Sequence, residues 1–518
     1  MAPAVNLDAT GPHPIERWIE VISAANLPVL GQTLRQLSKL RANEENVRPR
    51  DLSQVVLHDP LMALRVLRFL KNRHSAHAMS EITTVEHAIM MLGVSPFFRS
   101  FSDLRSLDAD LGSKKVPMQG LIAVVGRARH AALHAREWAR LRDDIQSDEV
   151  VIATLLHDMA EMLLWYFAPS QAESIETRLA GDSTLRSLDV QRGVLGFGLN
   201  ELQVALAAAW GLPSLITSLM DDYRAERPRA RNVLLAVNLT RHCNNGWEDA
   251  ALPDDIAGIR RLIGRSELEV KQRLFHVALE AGRDHEWYGE LAPAMWLPPF
   301  PLEVDGGHVA PGPLASASIL GRVKRLLSAN ADEDLVNWGG SGTLGGAESS
   351  PSVAALMALT FYGLYKGAGL ARQIYFNVDK SGTLARACYL GGVRGSNRLA
   401  RHTLTLGLAN PLTRALAESG AVWWRGSDDE LPLTGLTREW RMAADGEGFF
   451  AGMVRTPDGR GAVIFCDADK GSMRLNADRF DEFRELLVLL SVRLAGPLPE
   501  PIPDPLPEPI PAPVPPPG

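Results

Sequence analysis

A chain of 518 residues, 46% hydrophobic and 22% charged, has room for about two to four globular domains of ordinary soluble composition. Its formal net charge of −7 and pI near 6.0 give no electrostatic case for nucleic-acid binding, and its arginines are scattered among acidic residues with no five-residue basic run. The three cysteines, Cys243, Cys388 and Cys466, lie far apart, which excludes a disulfide framework and a Cys-rich zinc cluster and fits a reducing compartment.

Residues 1–14 are expected to be a tail. MAPAVNLDATGPHPIE has no basic stretch followed by an apolar one, so no signal peptide is expected. Residues 15–290 read as helical, with apolar residues at spacings of three and four. In His58-Asp59-Pro60, Asp59 can cap a helix and Pro60 suits its first turn; LMALRVLRFLKN follows. VEHAIMMLG places Val85, Ala88, Ile89 and Leu92 on one face and stops at Gly93. Ser147 is a cap, Asp148 and Glu149 suit a helix N-terminus, and Val150 to Phe167 reads as one buried helix carrying His157-Asp158. Apolar runs such as 150–156 are interrupted by His, Asp or Arg well before the roughly 18 residues a membrane span needs, so no span is expected and a cytoplasmic protein is the default.

Residues 291–350 change texture. WLPPFPLEVDGGHVAPGP and NWGGSGTLGGAESS flank one amphipathic piece, SILGRVKRLLSA, and read as a linker with a short helix. Residues 351–496 read as α+β. SVAALMALTFYGLYKG is a helix, and RQIYFNVDKSGTLARACYLGG is a hairpin turning at Asp379-Lys380-Ser381-Gly382. FFAGMVRTPDGRGAVIFCDAD turns at Pro457-Asp458-Gly459, and ADRFDEFRELLVLLSVRL closes as an amphipathic helix. In residues 497–518 proline fills every odd position from Pro497 to Pro517, which predicts a disordered, polyproline-II spacer.

Several segments of the N-terminal half resemble the HDOD family in order: LPVLGQTLRQLSKL, DLSQVVLHDPLMALRVLRFL, ITTVEHAIMMLGV, ATLLHDMAEMLL and AAAWGLPSLI. HDOD domains are helical relatives of HD metal-dependent phosphohydrolases. The resemblance implies a first His, a His-Asp pair and a later Asp around divalent metal that activates water. His130 matches the first His, with His134 one turn on as competitor, and His157 and Asp158 match the pair. The last Asp is replaced by Asn238, which removes one anionic ligand. Active HD enzymes often carry Lys three residues after the pair; Glu161 stands there. The accessory histidines around WGLP are also missing, with Leu199-Asn200 and Asp221-Asp222-Tyr223 at their counterparts. The expectation is a vestigial HD-type site of His130, His157, Asp158 and Asn238 with no catalytic residue and no cofactor. There Asp158 orients His157 or receives an arginine. The alternative is a metal-dependent phosphohydrolase acting on a phosphodiester or nucleotide, with divalent metal on His130, His157 and Asp158. His74, His77 and His87 fit no zinc spacing and read as solvated histidines.

The order of elements in the C-terminal half resembles a GAF-type domain. That implies a small-molecule sensor or a dimerisation unit, with no ligand residues identified. Cys388 and Cys466 fall on predicted strands as small hydrophobes, and Trp423-Trp424 line a pocket or pack in a core. No P-loop and no GxSxG elbow is present. The expected fold class is therefore multidomain: an all-α HDOD-like N-terminal domain plus an α+β GAF-like C-terminal domain. The expected role is bacterial signal transduction through protein partners, with a small-molecule ligand or a homodimer at the GAF-like domain and neither nucleic acid nor membrane as partner.

Overall fold

The computed structural model describes residues 7, 13–71, 84–220, 226–283, 285–288, 297–298, 313–328, 353–392, 403–406, 411–425, 448–467 and 475–495, residues 113, 183, 248 and 457 excepted. His74, His77, Asp221-Asp222-Tyr223 and the proline-rich tail lie outside these residues.

The N-terminal half is helical, as its three-and-four spacing predicts. It begins with α1 Ile15–Ala24, α2 Gly31–Arg41, α3 Pro49–Val56, α4 Pro60–Lys71, α5 Val85–Leu92, α6 Val94–Ser100 and α7 Leu107–Leu111. Then come α8 Lys115–Leu141, α9 Ser147–Leu155, α10 Met159–Phe167, α11 Pro169–Gly181, α12 Ser187–Leu195, α13 Leu199–Trp210 and α14 Ser214–Leu219. α15 Pro228–His242, α16 Leu252–Ile263, α17 Glu267–Arg283 and a single turn, α18 His285–Tyr288, complete it. α8 runs through the middle, with α9, α10, α15 and α17 packed on it. Gly120 lets α10 approach closely, because a Cβ there would overlap the Trp165 ring. Ser147–Phe167 is long and apolar enough to cross a membrane, but 78% of that window is buried inside the protein, where it forms part of the core.

Two motifs lock the helices together. Asp59 starts α4 as expected and does more. Its Oδ1 accepts from the Leu61 and Met62 backbone N–H groups at 3.0 and 3.1 Å, while its Oδ2 accepts from Leu30 N at 2.8 Å and Thr33 Oγ1 at 2.7 Å. One buried carboxylate thus caps α4 and fixes the entry to α2. In WGLP, Trp210 Nε1 donates to Ser23 Oγ at 2.9 Å and Arg68 stacks over the indole at 4.4 Å. Gly211 ends α13 in the left-handed region at φ 55°.

The C-terminal half is α+β. α19 Pro313–Leu327 and α20 Val353–Tyr362 precede β1 Arg372–Val378, β2 Leu384–Gly392 and β3 Thr403–Thr405. α21 Pro411–Ser419, β4 Ala421–Trp424, β5 Phe449–Val454, β6 Ala462–Asp467 and α22 Ala477–Ala495 follow. Both hairpins form where the turn residues predict them. The antiparallel sheet has the order β3-β2-β1-β6-β5-β4, so the β1–β6 pair joins two three-stranded meanders. Tyr375, Phe450, Ile464 and Cys466 pack one sheet face against α19, α20 and α22, and Ile374, Phe376, Phe449 and Phe465 pack the other with α21. Trp423 packs against Phe450 and Phe480 at ring distances of 5.7 and 6.1 Å. Cys388 and Cys466 sit on strands as free thiols, and burial pushes both upward in pKa.

The two cores meet. The helix expected inside residues 291–350 is α19, and its Leu320, Val323, Leu326 and Leu327 belong to the second core. Phe275 and Leu279 of α17 belong to that core as well. Trp247 packs against both the helical core and the outer sheet face, and Leu297 N donates to Leu390 O at 3.0 Å.

Candidate functional site

Four helices build the site. α8 carries Arg127, His130 and His134; α15 carries Asn238 and Arg241; the junction of α9 and α10 carries His157 and Asp158. The single helix expected over 150–167 is in fact two, broken at Leu156-His157-Asp158. The break is stabilised from outside, which the apolar pattern of the segment could not reveal. Gln203 of α13 sends its Nε2 to the carbonyls of Leu156, at 3.2 Å, and of His157, and its Oε1 accepts from Ala160 N at 3.1 Å. One buried amide therefore satisfies backbone groups on both sides of the turn that the break would otherwise orphan.

The turn aims Asp158 inward. Its Oδ1 accepts from Arg241 Nη2 at 2.5 Å and lies 3.1 Å from His157 Nδ1; its Oδ2 accepts from Arg127 Nη2 at 3.3 Å. Arg127 also donates to Glu161 Oε2 at 2.6 Å. Burial pushes the Asp158 carboxyl up, but Arg241, His157 and Arg127 outweigh it and hold the group well below the ordinary carboxylate range. Burial likewise disfavours the Arg127 charge, and Glu161 and Asp158 more than restore it. Two guanidiniums thus face two carboxylates, and the cluster carries no excess negative charge for a metal to compensate.

His130 and His134 face each other on α8. Their Nε2 atoms are 3.1 Å apart and their rings 4.7 Å, both side chains are buried, and His134 lies 5.4 Å from the Trp138 ring. At that distance one Nε2 donates and the other must accept, so at least one ring is neutral. Burial, with His130 next to it, holds His134 well below the ordinary histidine range. The choice between His130 and His134 thus resolves into a pair. Asn238 is half-buried one turn before Arg241, and Arg241 is the α15 side chain that reaches Asp158. Among the described residues no group of three or more His, Cys, Asp or Glu side chains could hold a metal. The surroundings do not suit a divalent ion, since the two arginines that pair with Asp158 set two positive charges against it. His87 lies on α5, with its backbone N–H capped by Thr84 Oγ1 at 3.1 Å.

Sequence reasoning allowed Asp158 an arginine without naming one and missed Gln203. The signal was present for the arginines. Arg127 precedes His130 by three residues and Arg241 follows Asn238 by three, so each shares a helix face with a residue already singled out. Nothing in the sequence marks Gln203, which acts through a long-range fold contact.

Residues 27–225 match the HDOD domain family, and this part of the chain is an HDOD domain. The fold is similar to solved structures of a MmoQ response regulator from Methylococcus capsulatus strain Bath, with 19% identity over 47% of this chain and 99% of that one and a TM-score of 0.36. It is similar to a virulence factor from Campylobacter jejuni subsp. jejuni, with 20% identity, coverage of 52% and 99%, and a TM-score of 0.39. It is also similar to an HDOD domain protein of unknown function from Geobacter sulfurreducens, with 19% identity, coverage of 54% and 97%, and a TM-score of 0.30. No curated protein matches the chain.

Proposed function

We propose that this is a cytoplasmic bacterial signalling protein in which a non-catalytic HDOD module binds protein partners and a GAF-like C-terminal half senses a small molecule or dimerises. The observation that carries the reading is the pairing of Asp158 with two permanent cations, Arg127 and Arg241. Holding a divalent ion that activates water calls for a donor set of net negative charge. Here permanent cations supply the charge compensation instead, so the turn holds three helices in register and leaves the surface to bind. The GAF-like reading is supported by the six-stranded antiparallel sheet with α19, α20 and α22 on one face and α21 on the other.

The test is metal content and hydrolysis. The purified chain is expected to carry substoichiometric Fe, Mn, Zn and Mg and to leave a generic phosphodiester intact with metal added. Stoichiometric metal, together with hydrolysis that His157→Ala abolishes, would instead establish a phosphohydrolase.

A further inference from the structure

α17 is the one described helix with apolar side chains in clusters on both sides of the molecule. Val277, Ala278 and Ala281 close a small cluster with Leu133 of α8. Phe275 and Leu279 enter the second core with α19, α20 and the sheet. Two ion pairs of opposite sense fix its register on α8: Arg273 to Glu137 at 3.0 Å and Arg136 to Glu280. The last of these crosses from α8 to α17 and the first from α17 to α8, so a slide of either helix strains both.

The end of α17 grips a third place. In α18 the Trp287 ring stacks on His58 at 4.3 Å and 11°, and Tyr288 Oη donates to the His58 carbonyl at 2.8 Å. His58 Nδ1 lies 2.7 Å from the Gln54 carbonyl and so carries the proton, which leaves Nε2 to accept from Arg129 Nη2 at 3.3 Å. Arg129 is on α8, two residues after Arg127. His58 immediately precedes Asp59, the residue that sets α2 against α4.

We propose that α17 with its terminal turn is the transmission element of the molecule: movement of the C-terminal core reaches α8 and the His58 turn through this helix, not through the linker at residues 291–350. The seam is contiguous, and its far ends are the second core at Phe275 and Leu279 and the α8 segment that positions Arg127. A ligand or partner that displaces the C-terminal core would therefore bias the Asp158 turn. This holds whether or not the turn binds metal, so its failure is separable from that of the reading above.

The full chain carrying a protease recognition sequence between residues 302 and 311 tests the first half of the claim. After cleavage the two pieces are expected to co-elute, and to separate in the Phe275→Ala/Leu279→Ala variant. Hydrogen exchange on the intact chain tests the second half and stands even if that variant fails to fold. Trp287→Ala is expected to speed exchange roughly tenfold in α20 as well as in residues 54–62. Separation of the cleaved wild-type pieces, or faster exchange confined to residues 54–62 in Trp287→Ala, overturns the proposal.

Discussion

Asp59 and Asp158 are the same residue type, both buried and both immediately before a helix, yet the protein treats them in opposite ways. Asp59 accepts only from neutral donors, two of them the N–H groups of its own helix. Burial is then the larger effect and its carboxyl is raised above the ordinary 3.8. Asp158 accepts from two guanidiniums, and its carboxyl is held well below 3.8 despite equal burial. Hydrogen bonds from neutral donors favour the Asp59 carboxylate less than burial disfavours it, whereas the guanidiniums at Asp158, with His157, outweigh burial. The first aspartate sets α2 against α4; the second ties α8, α10 and α15.

The largest effect expected from breaking this contrast is at Arg127. Arg127→Ala leaves Asp158 and Glu161 with one fewer buried cation and should cost about 3–5 kcal/mol in urea unfolding. Asp59→Ala removes one cap and two long-range bonds but leaves no buried charge, so about 2 kcal/mol is expected by the same measurement.

The two aspartates should also part in their pH dependence. Asp158 has a depressed folded pKa, so its contribution is complete above the unfolded value near 3.8 and fades as pH falls through the folded one. Asp59 has a raised folded pKa, so its contribution is complete below about 3.8 and declines as pH rises through the folded value. Urea midpoints should therefore show a deficit for Asp158→Asn that grows from acid towards neutral pH, and one for Asp59→Asn that shrinks. Parallel curves would remove the distinction. The smallest effect is a control: Arg192 and Glu201 pair at 2.8 Å on the surface, and Arg192→Ala should cost no more than about 0.5 kcal/mol.

Much of this was legible in the sequence. The helical half, the Asp59-Pro60 helix start and the two β-hairpins follow from periodicity, capping and turn chemistry, which act over a few residues. At the site, the sequence allowed Asp158 an arginine partner, and the structure supplies two, Arg127 and Arg241. The break between α9 and α10 was not legible, because an apolar segment reads as one helix until Gln203, more than forty residues away, supplies partners to the backbone at the turn.

The sequence by itself determined that the N-terminal half is helical, where α4 starts, where the two hairpins turn, and that residues 27–225 carry an HDOD pattern. These properties depend on neighbours in the chain, so local composition specifies them. Only the tertiary structure decided that Arg127 and Arg241 neutralise Asp158, that His130 and His134 pair with each other, and that α17 joins two cores. Each of these brings together side chains from separate helices, or sets the direction in which a side chain points. Helix packing fixes such choices, and spacing along the chain does not.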